Sequence, residues 1–202
     1  MSEFPDTEAR NPLAEDCRRC PALVEARTCI SWGNGPLDAE VVVVGEAPAA
    51  GDPGAERWRG GNLTGMAYTS RRSGRKIRDL LAEAGIGNAY YTNAVKCHPP
   101  DNRDPTDEEL SNCRPYLREE VEAVAPAAVL TTGKHATRTV LALDDESLDG
   151  FLDSVLEPRW NEALGVRVVP LLHPSYQEVW LSRLGCSREE YVAAIAEAVT
   201  GG

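Results

Sequence analysis

The sequence predicts an α/β protein: a single-domain, three-layer α/β/α sandwich with a central, mainly parallel four-stranded sheet. Three observations carry this. Four short apolar runs recur along the chain, amphipathic helical patterns alternate with them, and 202 residues suit one domain. The first run, 41–44, is four consecutive valines followed by Gly45, the pattern of a parallel strand buried on both faces. Runs at 89–95, 127–132 and 166–172 complete the set. Ser73 opens a helix with Ile77, Leu80, Leu81 and Ala84 on one face and Gly85 as its stop. Thr106 and Glu109 have capping-box spacing, and Leu110, Cys113, Leu117 and Val121 follow at helical intervals. Ser175 with Glu178, and Ser187 with Glu190, repeat that start signal. Residues 1–11 read as a flexible tail, 51–61 as a long Gly- and Arg-rich loop, and 144–157 as a solvated acidic excursion.

The composition, 42% hydrophobic and 26% charged, is that of a soluble globular chain rather than a disordered or fibrous one. No apolar run approaches the ~20 residues of a membrane span. Residues 1–30 lack the apolar core of a signal peptide, so the expected location is cytoplasmic, with no membrane partner. Acidic side chains outnumber basic ones 32 to 21, and only three of the basic residues are lysines. Acidity with scarce lysine resembles haloarchaeal proteins; an acidic protein of a GC-rich mesophile is the alternative. On net charge alone, −11 argues against nucleic acid, because Lys and Arg supply most phosphate affinity. The charges are unevenly spread, however. Arg57, Arg59, Arg71, Arg72, Arg75, Lys76 and Arg78 form a basic island, whereas the acids crowd 101–122 and 144–157. The net figure therefore leaves a locally positive DNA face open.

Six cysteines in such a chain point to metal before disulfides. Cys17 and Cys20 are a C-x2-C pair, and Cys97 and Cys113 are separated by fifteen residues. Four thiolates suit tetrahedral zinc or an iron–sulfur cluster, and spacing leaves both open. Cys29 and Cys186 have no partner at metal spacing and read as core or surface thiols.

In parallel α/β sheets, ligands bind beyond the carboxyl ends of the strands. The four loops there carry Gly45-Glu46-Ala47-Pro48 through Asp52, Thr92-Asn93 through Cys97, Thr131 through His135, and His173-Pro174-Ser175-Tyr176-Gln177. A carboxylate, an amide and an imidazole would thus share one edge, the composition of a reactive site.

These segments, with Gly61-Asn62-x-Thr64-Gly65-x-x-Tyr68-Thr69 and the four cysteines in order, resemble the uracil-DNA glycosylase superfamily, in particular its iron–sulfur-containing family 4 and family 5. The resemblance runs from Cys17 to Gln177 and implies a single uracil-DNA glycosylase-like domain over 1–202. Glu46 and Asn93 look like family 4; Ala47-Pro48-Ala49-Ala50 and the Tyr68 segment look like family 5. Ala49 stands where family 4 has glycine, Ser70 where family 5 has an acid, and the 50–62 loop is longer than in family 4. The resemblance implies a monofunctional enzyme that excises uracil from DNA and leaves an abasic site. Tyr68 would stack on the flipped base, Asn93 would read it, and Ala47 and Ser175 would line its pocket. His173 would stabilise charge on uracil O2, with Glu46 or Asp52 handling the water. Residues Ser175, Tyr176 and Gln177 would enter the minor groove. Cys17, Cys20, Cys97 and Cys113 would hold a [4Fe–4S] cluster, zinc being the alternative. Expected partners are uracil-containing DNA and a sliding clamp, with the chain acting as a monomer. Rival readings are a broad hypoxanthine/xanthine glycosylase and a non-catalytic iron–sulfur protein that binds damaged DNA.

Overall fold

A computed structural model describes residues 2–201, so Met1 and Gly202, the ends of the expected 1–202 domain, lie outside the described residues. In chain order the elements are β1 (Arg10–Asn11), α1 (Pro21–Ala26), β2 (Gly33–Asn34), β3 (Val41–Gly45), α2 (Gly61–Thr64), α3 (Gly74–Glu83), β4 (Ala89–Asn93) and α4 (Asp107–Val124). They continue with β5 (Ala128–Thr132), α5 (Lys134–Leu141), α6 (Phe151–Ser154), β6 (Arg159–Asn161), β7 (Val166–Leu171), α7 (Gln177–Leu184) and α8 (Arg188–Thr200).

The four apolar runs become β3, β4, β5 and β7, which lie side by side in parallel in the order β4-β3-β5-β7. Every residue of β3, β4 and β5 is buried. Alternate valines serve opposite faces, as the two-residue repeat of a strand requires. Val41 and Val43 meet Ile77, Leu80 and Leu81 of α3, together with Tyr191 and Ile195 of α8. Val42 and Val44 meet Leu117 and Val121 of α4 and Val140 of α5. A fully buried valine is worth roughly 1.5–3 kcal/mol, so β3 is anchored from both layers.

The expected four-stranded, mainly parallel sheet needs correction. The sheet has seven strands in the order β1-β2-β4-β3-β5-β7-β6, and the pairings of β1, β2 and β6 are antiparallel. Those three strands span only two or three residues each, too few for any periodic signature.

Other boundaries follow cap chemistry. The capping boxes Thr106–Glu109 and Ser187–Glu190 both form. That of Ser175 does not: α7 begins at Gln177, and the Ser175 N–H instead donates to His173 Nδ1 at 3.2 Å. Residues 2–11, most of the expected flexible tail, are tied to the body. Ser2 hydrogen-bonds Asp79, Phe4 packs edge-on against Trp58, and β1 pairs with β2. The acidic excursion at 144–157 is likewise only partly solvated. Its Phe151 and Leu152 pack against the core, and Ser154 and Val155 are buried. Among the described residues no helix is long and apolar enough to cross a membrane.

Candidate active site and cysteine cavity

The carboxyl ends of β3, β4, β5 and β7 open into one wide cleft. Its lining includes every cleft residue expected from sequence: Glu46, Ala47, Asp52, Tyr68, Asn93, His173 and Ser175. Arg59, Arg71, Arg72, Arg103 and Lys134 also line it, interspersed with Glu46, Asp52, Asp104 and Asp149, so the cleft offers cationic side chains within an acidic protein.

Asn93 ends β4 on the cleft floor, 4% exposed. Its side-chain Nδ2 is buried and has no hydrogen-bond partner among the described residues. Such an orphan typically costs about 1–3 kcal/mol unless a ligand supplies the acceptor. The backbone beneath it is fixed. Lys96 Nζ donates to the Asn93 carbonyl at 2.7 Å, to Thr92 Oγ1 at 2.6 Å and to Glu120 Oε2 at 2.6 Å. Glu120 also accepts from Thr92 Oγ1 and from the Gly33 N–H. The ion pair is 2% and 1% exposed, and its oxygens and ammonium are occupied, the condition under which buried charges persist.

Tyr68 forms a wall beside Asn93. It sits in the left-handed region at φ 52°, a costly conformation for a non-glycine residue, and its hydroxyl bonds Thr132 Oγ1. The ring belongs both to the core and to the cleft, packing edge-on against Tyr91 at 5.8 Å. Gly45 permits this close arrangement: a Cβ there would lie 2.5 Å from Asn93 Oδ1 and 2.8 Å from the Tyr68 hydroxyl.

His173 follows β7. Its Nδ1 accepts the Ser175 N–H, which assigns the ring proton to Nε2. Burial lowers its pKa, so the imidazole stays neutral near neutral pH and can donate from Nε2. Tyr176 lies against this ring and is 62% exposed, whereas Gln177 is buried at the start of α7 and cannot reach a groove.

Two acids were candidates for the water. Glu46 is half-buried; burial raises its carboxyl pKa, the His135 charge opposes the rise and Asp104 adds to it. His135 Nδ1 stands 3.9 Å from Glu46 Oε1, and His135 Nε2 stands 3.5 Å from Asp104 Oδ2. Asp52 is exposed, and its Oδ1 accepts the Gly54 N–H at 2.9 Å, closing a turn in the 51–61 loop.

Cys17, Cys20, Cys97 and Cys113 line a separate small cavity with an apolar shell of Leu23, Ile30 and Trp32. A donor faces each sulfur. Arg27 reaches Cys97 Sγ at 3.1 Å and Asn112 reaches Cys20 Sγ at 3.4 Å. The Lys96 N–H serves Cys113, and the Tyr116 hydroxyl serves Cys17. Burial pushes the Cys113 thiol up to about 12, so it would ionise only for a bound cation. Cys29 and Cys186 lie elsewhere.

Sequence reasoning singled out neither His135 nor Asp104, nor the Lys96–Glu120 pair as a support for Asn93. His135 at least follows a strand end, in the first turn of α5. Glu120 shares the buried face of α4 with Cys113 and Leu117, an unusual place for an acid away from the helix start and a signal in itself.

Comparison with known proteins gives a consistent answer. Residues 32–199 match the family described as the Uracil DNA glycosylase superfamily. A type-5 uracil-DNA glycosylase of Pyrobaculum aerophilum is 37% identical over 199 residues, covering 84% of this chain and 82% of its own length. A type-4 uracil-DNA glycosylase of Archaeoglobus fulgidus is 33% identical over 165 residues, covering 79% and 76%. A type-5 enzyme of Mycobacterium leprae is 29% identical over 208 residues, covering 83% and 84%.

Proposed function

The chain belongs to the uracil-DNA glycosylase superfamily, and from that premise we propose that it excises uracil from DNA by hydrolysing the N-glycosidic bond. The observation that carries the reading is the orphaned Asn93 amide on the cleft floor. A base must leave the stack before it can be cut, at a cost of a few kcal/mol that the pocket has to recover. Tyr68 offers the flipped base a fixed ring wall. Asn93 Nδ2 donates to uracil O4 and Oδ1 accepts from N3–H; cytosine presents the reverse pattern and is refused.

Breaking the bond sends its electron pair to uracil N1 and leaves a cationic sugar. The His173 Nε2–H then donates to O2, where negative charge gathers, and a neutral imidazole suffices. Glu46 orients the water that bonds to C1′ and takes its proton, while the uracil anion takes one from solvent. Asp52, exposed and held in its own turn through Oδ1, is the weaker of the two candidates for this step. The cationic side chains of the cleft meet phosphate, and Tyr176 is the side chain for the minor groove.

The four cysteines fit an iron–sulfur cluster better than zinc. Among the described residues, no three of their sulfurs come within 4.8 Å of one another. Tetrahedral zinc with Zn–S bonds of about 2.3 Å would need sulfurs about 3.8 Å apart. A [4Fe–4S] cluster spreads its ligands over separate iron atoms, and the donors around the sulfurs suit its charge. Bound there, it supplies rigidity, joining the segment carrying Cys17 and Cys20 to the loop after Asn93.

The test is release of bases from single- and double-stranded oligonucleotides carrying uracil, hypoxanthine, xanthine or thymine. Uracil release leaving an alkali-labile site supports the reading. Preferential hypoxanthine release, or binding without any abasic product, overturns it.

A further inference from the structure

Glu46, Asp104 and His135 come from three separate segments, yet their ligating atoms all lie within 4.8 Å of one another at the cleft. The imidazole stands between the two carboxylates, with Nδ1 towards Glu46 and Nε2 towards Asp104. At 3.9 and 3.5 Å these contacts are longer than ordinary hydrogen bonds, but close enough to tighten into them when substrate excludes water. We propose that His135 and Asp104 are positioning residues that control the ionisation of Glu46 during uracil excision. The proposal rests on the assignment of the water to Glu46.

The chemistry follows from the order of the groups. Each turnover leaves the water's proton on Glu46, which must ionise again before the next. His135 stands between Glu46 and Asp104, whose side chain is 70% exposed. His135 and Asp104 also pull on Glu46 in opposite senses. A protonated imidazole favours the carboxylate; a second carboxylate disfavours it. Other titratable or charged groups lining this cleft from neighbouring segments include Asp52, His98, Arg103, Lys134, Asp149 and His173, as well as Arg59, Arg71 and Arg72. His98 Nδ1 bonds the Pro48 carbonyl, and Arg103 is engaged by Glu109.

The decisive property is therefore a pair of opposed shifts. Single-turnover uracil excision is measured from about pH 5 to about pH 9 for the parent, His135→Asn, Asp104→Asn and Glu46→Gln. On the acid limb His135→Asn should be slowed about tenfold, its limb moving to higher pH. Asp104→Asn should move the limb to lower pH. A residue that only props the loop would shift neither limb, or slow both variants equally at every pH. Unmoved limbs, or limbs moving the same way, would overturn the proposal while a slow Glu46→Gln variant still upheld the water assignment. A Glu46→Gln variant at parental rate would overturn both.

Discussion

Asn93, at the end of β4, and Cys97, four residues further on, belong to two sites built on different rules. The cleft side keeps its polar groups open: the Asn93 amide has no partner, and His173 offers an uncommitted Nε2–H. On the cavity side each of the four sulfurs already faces a donor inside a largely apolar shell, although the Trp32 Nε1–H in that lining has no partner among the described residues. A visiting base needs rigid groups with vacant hydrogen-bonding capacity. A resident group needs that capacity filled. Lys96 joins the two regions, its ammonium under Asn93 and its backbone N–H at Cys113.

The strongest way to break this comparison is to cut the join. Lys96→Met leaves Glu120 buried and unpaired, and should lower unfolding stability by about 3–5 kcal/mol in chemical denaturation. The double variant Lys96→Met/Glu120→Leu should recover much of that loss without recovering excision, because the Asn93 carbonyl stays untethered. Full activity in the double variant would show that the join holds nothing.

Next in size is the cleft alone. Asn93→Ala should slow uracil excision about 10²- to 10³-fold, and stability should not fall, since an orphaned buried donor is removed. A destabilised protein with normal excision would reverse the assignment. On the cavity side, Cys113→Ser should cost about 10- to 100-fold in excision, by loosening the Asn93 loop. Its tryptophan fluorescence should change as well, because Trp32 packs in the same cluster.

The smallest expected effect concerns His173. Its folded pKa lies below the ordinary value of 6.5, so the unfolded chain binds the extra proton first. Its contribution to stability is complete above about pH 6.5 and falls away as pH drops through the lowered folded value. His173→Asn should flatten that part of the stability profile in a series of thermal melts.

Periodicity and cap chemistry made much of the fold legible. Four consecutive valines need two apolar layers, and Thr106 with Glu109 can be read as a helix start from spacing alone. What escaped had other causes. β1, β2 and β6 are held by their neighbours rather than by a pattern of their own. Ser175 had the spacing of a cap, but its backbone was claimed by the His173 ring. In the site, Glu46, Asn93 and His173 were visible because strand ends converge in such sheets. Asp104 and His135 meet Glu46 only through tertiary approach, and one acid in an acidic stretch carries no mark of its neighbours.

The most direct test of the central claim watches the Asn93 amide itself. Side-chain amide resonances would be followed by NMR while free uracil, and separately cytosine, is titrated into the protein. The account predicts that the Asn93 signal, unpartnered in the free protein, shifts on adding uracil and stays in place with cytosine. An Asn93 signal that ignores uracil, or answers both bases alike, would contradict it.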